Sequence, residues 1–116
     1  MSKIKTFKFT IDGWPVSFYR FDAFNNILMY SYKDEDDKLK SAKYDIQNDF
    51  YENVETITKD WLGKYEHNNM IMLDGESWKL DITYEDGNKK LVSGINAYPE
   101  NYDELINYLE SIVTKD

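Results

Sequence analysis

Residues 78–85, Trp-Lys-Leu-Asp-Ile-Thr-Tyr-Glu, alternate apolar and polar without a break. Side chains along a strand point to opposite faces in turn. Trp78, Leu80, Ile82 and Tyr84 therefore share one face, and Lys79, Asp81, Thr83 and Glu85 share the other. A strand written this way belongs to a sheet with one face on a core and one in water. Whatever covers the apolar face must come from elsewhere in the chain, and two stretches have the spacing to do it. Phe50, Val54, Ile57 and Trp61 fall on one helical stripe, as do Tyr102, Leu105, Leu109 and Ile112. A sheet carrying helices on a single face is the expected result.

Three Asp-Gly pairs divide the strands: Asp12-Gly13, Asp74-Gly75 and Asp86-Gly87. Each lies between apolar or alternating runs and is expected to be a hairpin tip, because tight turns of this kind need positive φ. Strand 4–11 sets Phe7, Phe9 and Ile11 against Lys8 and Thr10. Strands 14–22 and 27–33 are apolar on both faces: Trp14, Val16 and Phe18 against Tyr19 and Phe21, then Ile27 and Met29 against Leu28, Tyr30 and Tyr32. They read as central strands or as strands with a second covered face. A weaker strand, 39–46, follows the acidic run Asp34-Glu35-Asp36-Asp37.

The helix ends are also written in the sequence. Asp49 and Glu52 have capping-box spacing, and Gly63 is placed to end the first helix. Asn101 is an N-cap for the second, with Glu104 positioned to reach back to it and Asp103 favouring the positive end of the helix dipole. Pro99 ends the preceding strand and biases Tyr98 away from helical dihedrals. Gly94, inside a strand, predicts a bulge or an aromatic ring lying over it.

The block 73–105, LDGESWKLDITYEDGNKKLVSGINAYPENYDEL, resembles a pattern in small, uncharacterised α+β proteins of Gram-positive bacteria. Its markers are Asp74, Gly75, Trp78, Gly87, Gly94, Asn96, Tyr98 and Pro99. The resemblance implies a fold and a source, and it implies no activity.

At 116 residues one domain, 1–116, is expected, long enough to bury a core without staples. The chain has no cysteine, which excludes disulfides, thiolate metal sites and a catalytic Cys. No apolar run approaches the ~20 residues that span a bilayer and the first residues lack a signal-peptide core, so a cytoplasmic protein is expected. The net charge is −8, divided as −2 over residues 1–66 and −6 over 67–116. That sign argues against direct nucleic-acid binding, and a single arginine, Arg20, leaves little for bidentate phosphate recognition.

No catalytic constellation stands out. His67 is the single histidine and has no marked nucleophile or orienting carboxylate. One histidine without cysteine cannot supply the three or four nitrogen and sulfur ligands of a usual zinc site. The run 34–37 lacks the spacing of a calcium loop, and Lys33, Lys38 and Lys40 sit beside it. The nucleophile elbow, phosphate-binding loop and dinucleotide-binding patterns do not occur. The expectation is a non-enzyme with no cofactor and no metal.

Aromatic residues make up 16% of the chain, led by ten tyrosines. If Phe7, Trp14 and Trp78 form the core, some of Tyr19, Phe21, Tyr30 and Tyr32 are expected on the opposite sheet face. A Tyr-rich patch there would suit a protein partner or self-association. The fold expected is α+β, an antiparallel sheet of six to seven strands in the order ββββαβββα with two helices packed on one face. The function expected is a non-catalytic protein-interaction domain. An alternative is an acidic mimic of nucleic acid that inhibits a DNA-binding enzyme. It would use Glu76, Asp81, Glu85, Asp86, Glu100, Asp103, Glu104 and Glu110 in a row. A metal-dependent hydrolase built on Asp34–Asp37 is a third, weaker reading.

Overall fold

The computed structural model describes residues 3–14, 17–33, 36, 38–66, 75–95 and 97–113. The chain runs β1 (Ile4–Trp14), β2 (Ser17–Phe24), β3 (Ile27–Lys33), β4 (Leu39–Asp45), α1 (Asn48–Thr58), β5 (Lys64–Glu66), β6 (Gly75–Tyr84), β7 (Lys89–Ile95) and α2 (Tyr102–Val113). This is the α+β order read from the sequence. The strands form one seven-stranded sheet, β4-β3-β2-β1-β6-β7-β5. All pairs are antiparallel except β5 with β7, which is parallel. No described helix is long and apolar enough to cross a membrane.

Alternation in β6 does what its sequence requires. Trp78, Leu80 and Ile82 are buried, while Lys79 is exposed and Asp81 is half-exposed on the other face. The pairs Phe7–Ile82, Phe9–Leu80 and Ile11–Trp78 extend the buried face onto β1. Phe50 of α1 meets Phe7 edge-on at 5.6 Å, and Tyr102 of α2 lies 5.9 Å from Phe9. Both helices thus pack on the same sheet face. They run antiparallel, with Asn53 donating to the Tyr108 hydroxyl near one end and Asn101 donating to the Ile57 carbonyl near the other.

The turns correct part of the sequence reading. Asp12-Gly13 is not a hairpin tip: both residues are inside β1, paired with Phe18 and Ser17, and β1 runs past them to Trp14. Among the described residues, the two-residue turn with positive φ throughout is Asn25-Asn26, at 53° and 62°, between β2 and β3. Asparagine tolerates this left-handed region because its short side chain can bond locally. Asp86-Gly87 does lie at a tip, but as a three-residue loop with only Gly87 at positive φ, 91°. Asp86 there accepts from the Asn88 backbone N–H at 2.9 Å. Asp74 falls outside the described residues, and Gly75 opens β6.

Helix termini differ as well. The N-cap of α1 is Gln47, without a side-chain cap bond, and Asp49 is already in the first helical turn. The capping box expected from Asp49 and Glu52 is therefore absent from this end. The helix stops at Thr58, before Gly63. Trp61 belongs to the turn that follows, yet it is only 2% exposed and closes the aromatic core against Trp78 at 5.5 Å. Neither last turn contains a basic residue. Lys90 of β7 supplies one for α1, its Nζ donating to the Thr58 and Lys59 carbonyls that end the helix. Burial lowers the Lys90 pKa, and Glu55 and Asp60 oppose that shift.

Asn101 is at the N-cap position of α2, but its side chain does more than cap. Its Oδ1 accepts from the Trp61 indole at 2.7 Å, and its Nδ2 donates to the Ile57 carbonyl at 2.7 Å. The amide therefore ties the start of α2 to the end of α1. Glu104 reaches back to the Asn101 side chain at 3.4 Å rather than to its backbone N–H. Gly94 faces Trp78 across the β6–β7 pair, and a methyl group there would overlap the indole. The ring over this glycine is the aromatic lid that the sequence suggested. Trp78 Nε1 then donates to the Ala97 carbonyl at 3.0 Å.

Candidate functional site

Register decides where the aromatic residues go. Phe9 pairs with Phe21 and Phe7 with Ala23 on β2, while Phe21 pairs with Tyr30 and Tyr19 with Tyr32 on β3. Directly paired residues share a face. Tyr19, Phe21, Tyr30 and Tyr32 therefore all lie on the helix-bearing face with Phe7 and Trp78, whereas some of them were expected on the opposite face. The cause is the misplaced tip. A turn at Asp12-Gly13 would pair Phe9 with Val16 and put even-numbered β2 residues over the core; the observed pairing puts odd-numbered ones there.

The four residues do come together. Tyr30 stacks on Phe21 at 4.9 Å, on Tyr32 at 5.2 Å and on Tyr19 at 6.4 Å. Phe21 is 4% exposed and belongs to the core, stepping inward to Phe9 at 6.4 Å. Tyr30 and Tyr32 are half-buried, and Tyr19 is 39% exposed. The stack is a staircase from the core to solvent. Burial pushes the Tyr30 hydroxyl up to about 12, with smaller upward contributions from Tyr19, Glu110, Tyr32 and Tyr44. Near neutral pH this phenol is uncharged, offering a ring face and a hydroxyl that can donate or accept.

Tyr44 of β4 was not singled out by the sequence, because the strand Leu-Lys-Ser-Ala-Lys-Tyr-Asp has a single aromatic and only weak alternation. It pairs with Leu28 and so joins the same face. Beside it a groove of about 560 Å³ lies between the end of β4, the start of α1 and the end of α2. Tyr44, Ile46, Phe50, Asn53, Tyr108 and Ile112 are among the residues that line it.

Charge is divided between the two sides of the molecule. The helices carry Asp49, Glu52, Glu55, Asp103, Glu104 and Glu110 and contain no lysine or arginine. The open sheet face holds Lys8, Arg20, Lys33, Lys43, Lys79 and Lys89 with Asp12, Asp22, Asp45 and Asp81. Arg20 and Lys33 each lie 5.7 Å from the Phe18 ring centroid there. Asp22 sits on this face between Lys8 and Met29, with Oδ1 buried and lacking a hydrogen-bond donor. Burial raises its pKa, and Arg20 and Lys8 pull it back.

The carboxylates named for nucleic-acid mimicry are not gathered into one row. Asp81 is on the open face, Glu85 and Asp86 are at the β6–β7 tip, and Asp103, Glu104 and Glu110 are on α2. The side chain of Glu76 is outside the described set. So are His67, Asp34, Glu35 and Asp37, which leaves only Asp36 of the acidic run described. Among the described residues, no group of three or more His, Cys, Asp or Glu could hold a metal ion.

Compared with known proteins, the chain matches no protein-family model, no curated protein and no solved structure, so these side chains and their geometry carry the functional argument.

Proposed function

We propose that the chain is a non-catalytic protein-interaction domain whose contact surface is the tyrosine staircase on β2 and β3, with Tyr44 and the adjoining groove. The observation that carries this reading is the exposure gradient along the stack, from buried Phe21 to exposed Tyr19. Rings anchored at one end lose little entropy when a partner covers the other, and tyrosine adds large contact area with a polar tip. A chain without cysteine suits the cytoplasm, where we place its work.

The test is affinity capture with three baits: the native chain, a Tyr19→Ala/Tyr32→Ala variant and a Lys79→Ala control on the open face. The reading expects a partner held by the native chain and the control and lost by the double variant. Identical recoveries from all three would sink it.

A second reading is favoured by the helix layer, where two antiparallel helices carry carboxylates and no lysine or arginine of their own. Such a surface suits a basic groove on a DNA-binding protein. In that case Glu52→Gln/Glu55→Gln/Glu104→Gln would abolish capture, whereas the tyrosine variant would leave it unchanged.

A further inference from the structure

The two edges of the sheet are built differently. One ends in β5, three residues long, which is a short edge of the kind that discourages strand addition. The other ends in β4, whose seven residues pair with β3 from Leu39 to Lys33 through Asp45 to Ile27 with no register shift. β4 has no proline, no glycine and no bulge, and no described strand occupies its outer side. A regular, uncovered strand of this length presents a row of backbone N–H and C=O groups as a template for another strand.

We propose that β4 pairs antiparallel with β4 of a second copy of this chain, with Ala42 on the two-fold axis. Identical strands joined this way continue the sheet, and helix-face residues must meet helix-face residues. That requirement admits registers in which paired numbers sum to an even value. With Ala42 on the axis all seven residues are paired: Leu39 opposite Asp45, Lys40 opposite Tyr44, and Ser41 opposite Lys43. No two like charges meet. Sliding to put Lys43 on the axis sets lysine against lysine and shortens the overlap. The register centred on Ala42 is thus the one that pairs all seven residues without setting lysine opposite lysine. In that register each ammonium of Lys40 lies beside a Tyr44 ring of the other copy, a cation–π arrangement. The interface is isologous and closes as a dimer. It rests on the interaction-domain reading only in extending the same surface, since the two staircases would flank the axis on the helix side.

Sedimentation velocity from low micromolar to about millimolar concentration measures the dimer directly. Ser41 is exposed, so changing it leaves the monomer fold intact. Ser41→Glu faces Lys43 of the other copy twice over and is expected to tighten the dimer roughly fivefold; Ser41→Lys repels the same residue and is expected to loosen it by a similar factor. A chain that stays monomeric throughout overturns the proposal. So does a dimer that responds to neither variant, or to both in the same direction. Tyr19→Ala/Tyr32→Ala is expected to leave dimerisation unchanged while removing partner capture, so either reading can fail without the other.

Discussion

The β1–β6–β7 side of the sheet and the β2–β3–β4 side both turn aromatic and aliphatic residues to the helix-bearing face, yet those residues end up in different environments. On the first, Phe7, Phe9, Leu80, Ile82 and Val92 are sealed under the helices. On the second, Tyr19, Tyr30, Tyr32 and Tyr44 are half-buried or exposed. Dimensions explain the contrast. Seven strands set their outermost members about 29 Å apart, at ~4.8 Å per step. Two helices side by side are about 20 Å wide, and each is about 17 Å long. Whichever way they cross, part of the face lies beyond their reach. The chain places phenylalanine and aliphatic residues under the roof and tyrosine at its margin, where a hydroxyl can meet water.

Substitutions can break this comparison. The largest difference is expected between Phe7→Ala, which should cost about 3–5 kcal/mol, and Tyr32→Ala, which should cost about 1 kcal/mol or less. Urea denaturation followed by far-UV circular dichroism measures both, and similar losses would show that the margin is structural core. Gly94→Ala comes next, at about 1–3 kcal/mol, because a methyl would overlap both the Trp78 indole and the Ala97 carbonyl it donates to. Its marker is a shift in tryptophan emission along with the lost stability. Asn101→Ala should cost about 2 kcal/mol, since it leaves the Trp61 indole N–H and the Ile57 carbonyl without their partner. Asn53→Ala, which removes an exposed bond to Tyr108 between the same two helices, should cost about 0.5 kcal/mol or less.

The smallest effect concerns the open face. The pKa of Asp22 is raised above its ordinary 3.8 in the folded chain, so the folded state holds that proton more tightly than the unfolded state. Its protonation adds stability that is fully present below 3.8 and is lost as pH rises through the folded value. Asp22→Asn should therefore stabilise the protein slightly at neutral pH, with the gain over the native chain shrinking as the solution is acidified through that range. Urea midpoints at several pH values check it, and a gain independent of pH would refute the assignment.

Much of the architecture was legible because periodicity is local. β3 was readable to the residue, β6 in its faces, and Gly94 as far as a choice between a bulge and an overlying ring. What could not be read was β2's register. Both of its faces are aromatic, so its pattern does not say which side meets Phe7, and an Asp-Gly pair drew the turn to the wrong place. An odd shift in pairing then reverses the faces of β2, which is why some of Tyr19, Phe21, Tyr30 and Tyr32 were expected on the open side. The true two-residue turn, Asn25-Asn26, carries a weaker signal than Asp-Gly although it adopts the required dihedrals. Asn101 was read correctly as a helix start, but its bonds to Trp61 and Ile57 depend on tertiary contacts that spacing alone does not encode.

The β1–β6 pair occupies the middle of the sheet, and it joins Phe9 to Leu80 across most of the chain. During synthesis at ~5–20 residues per second, β6 follows β1 from the ribosome after roughly 4–14 s. For that interval the first four strands can form their meander and α1 follows them, but β1 keeps a bare edge and Phe9 lacks its contact with α2. The nascent chain is then most exposed to aggregation, and a chaperone that recognises aromatic strands would find its substrate in that window.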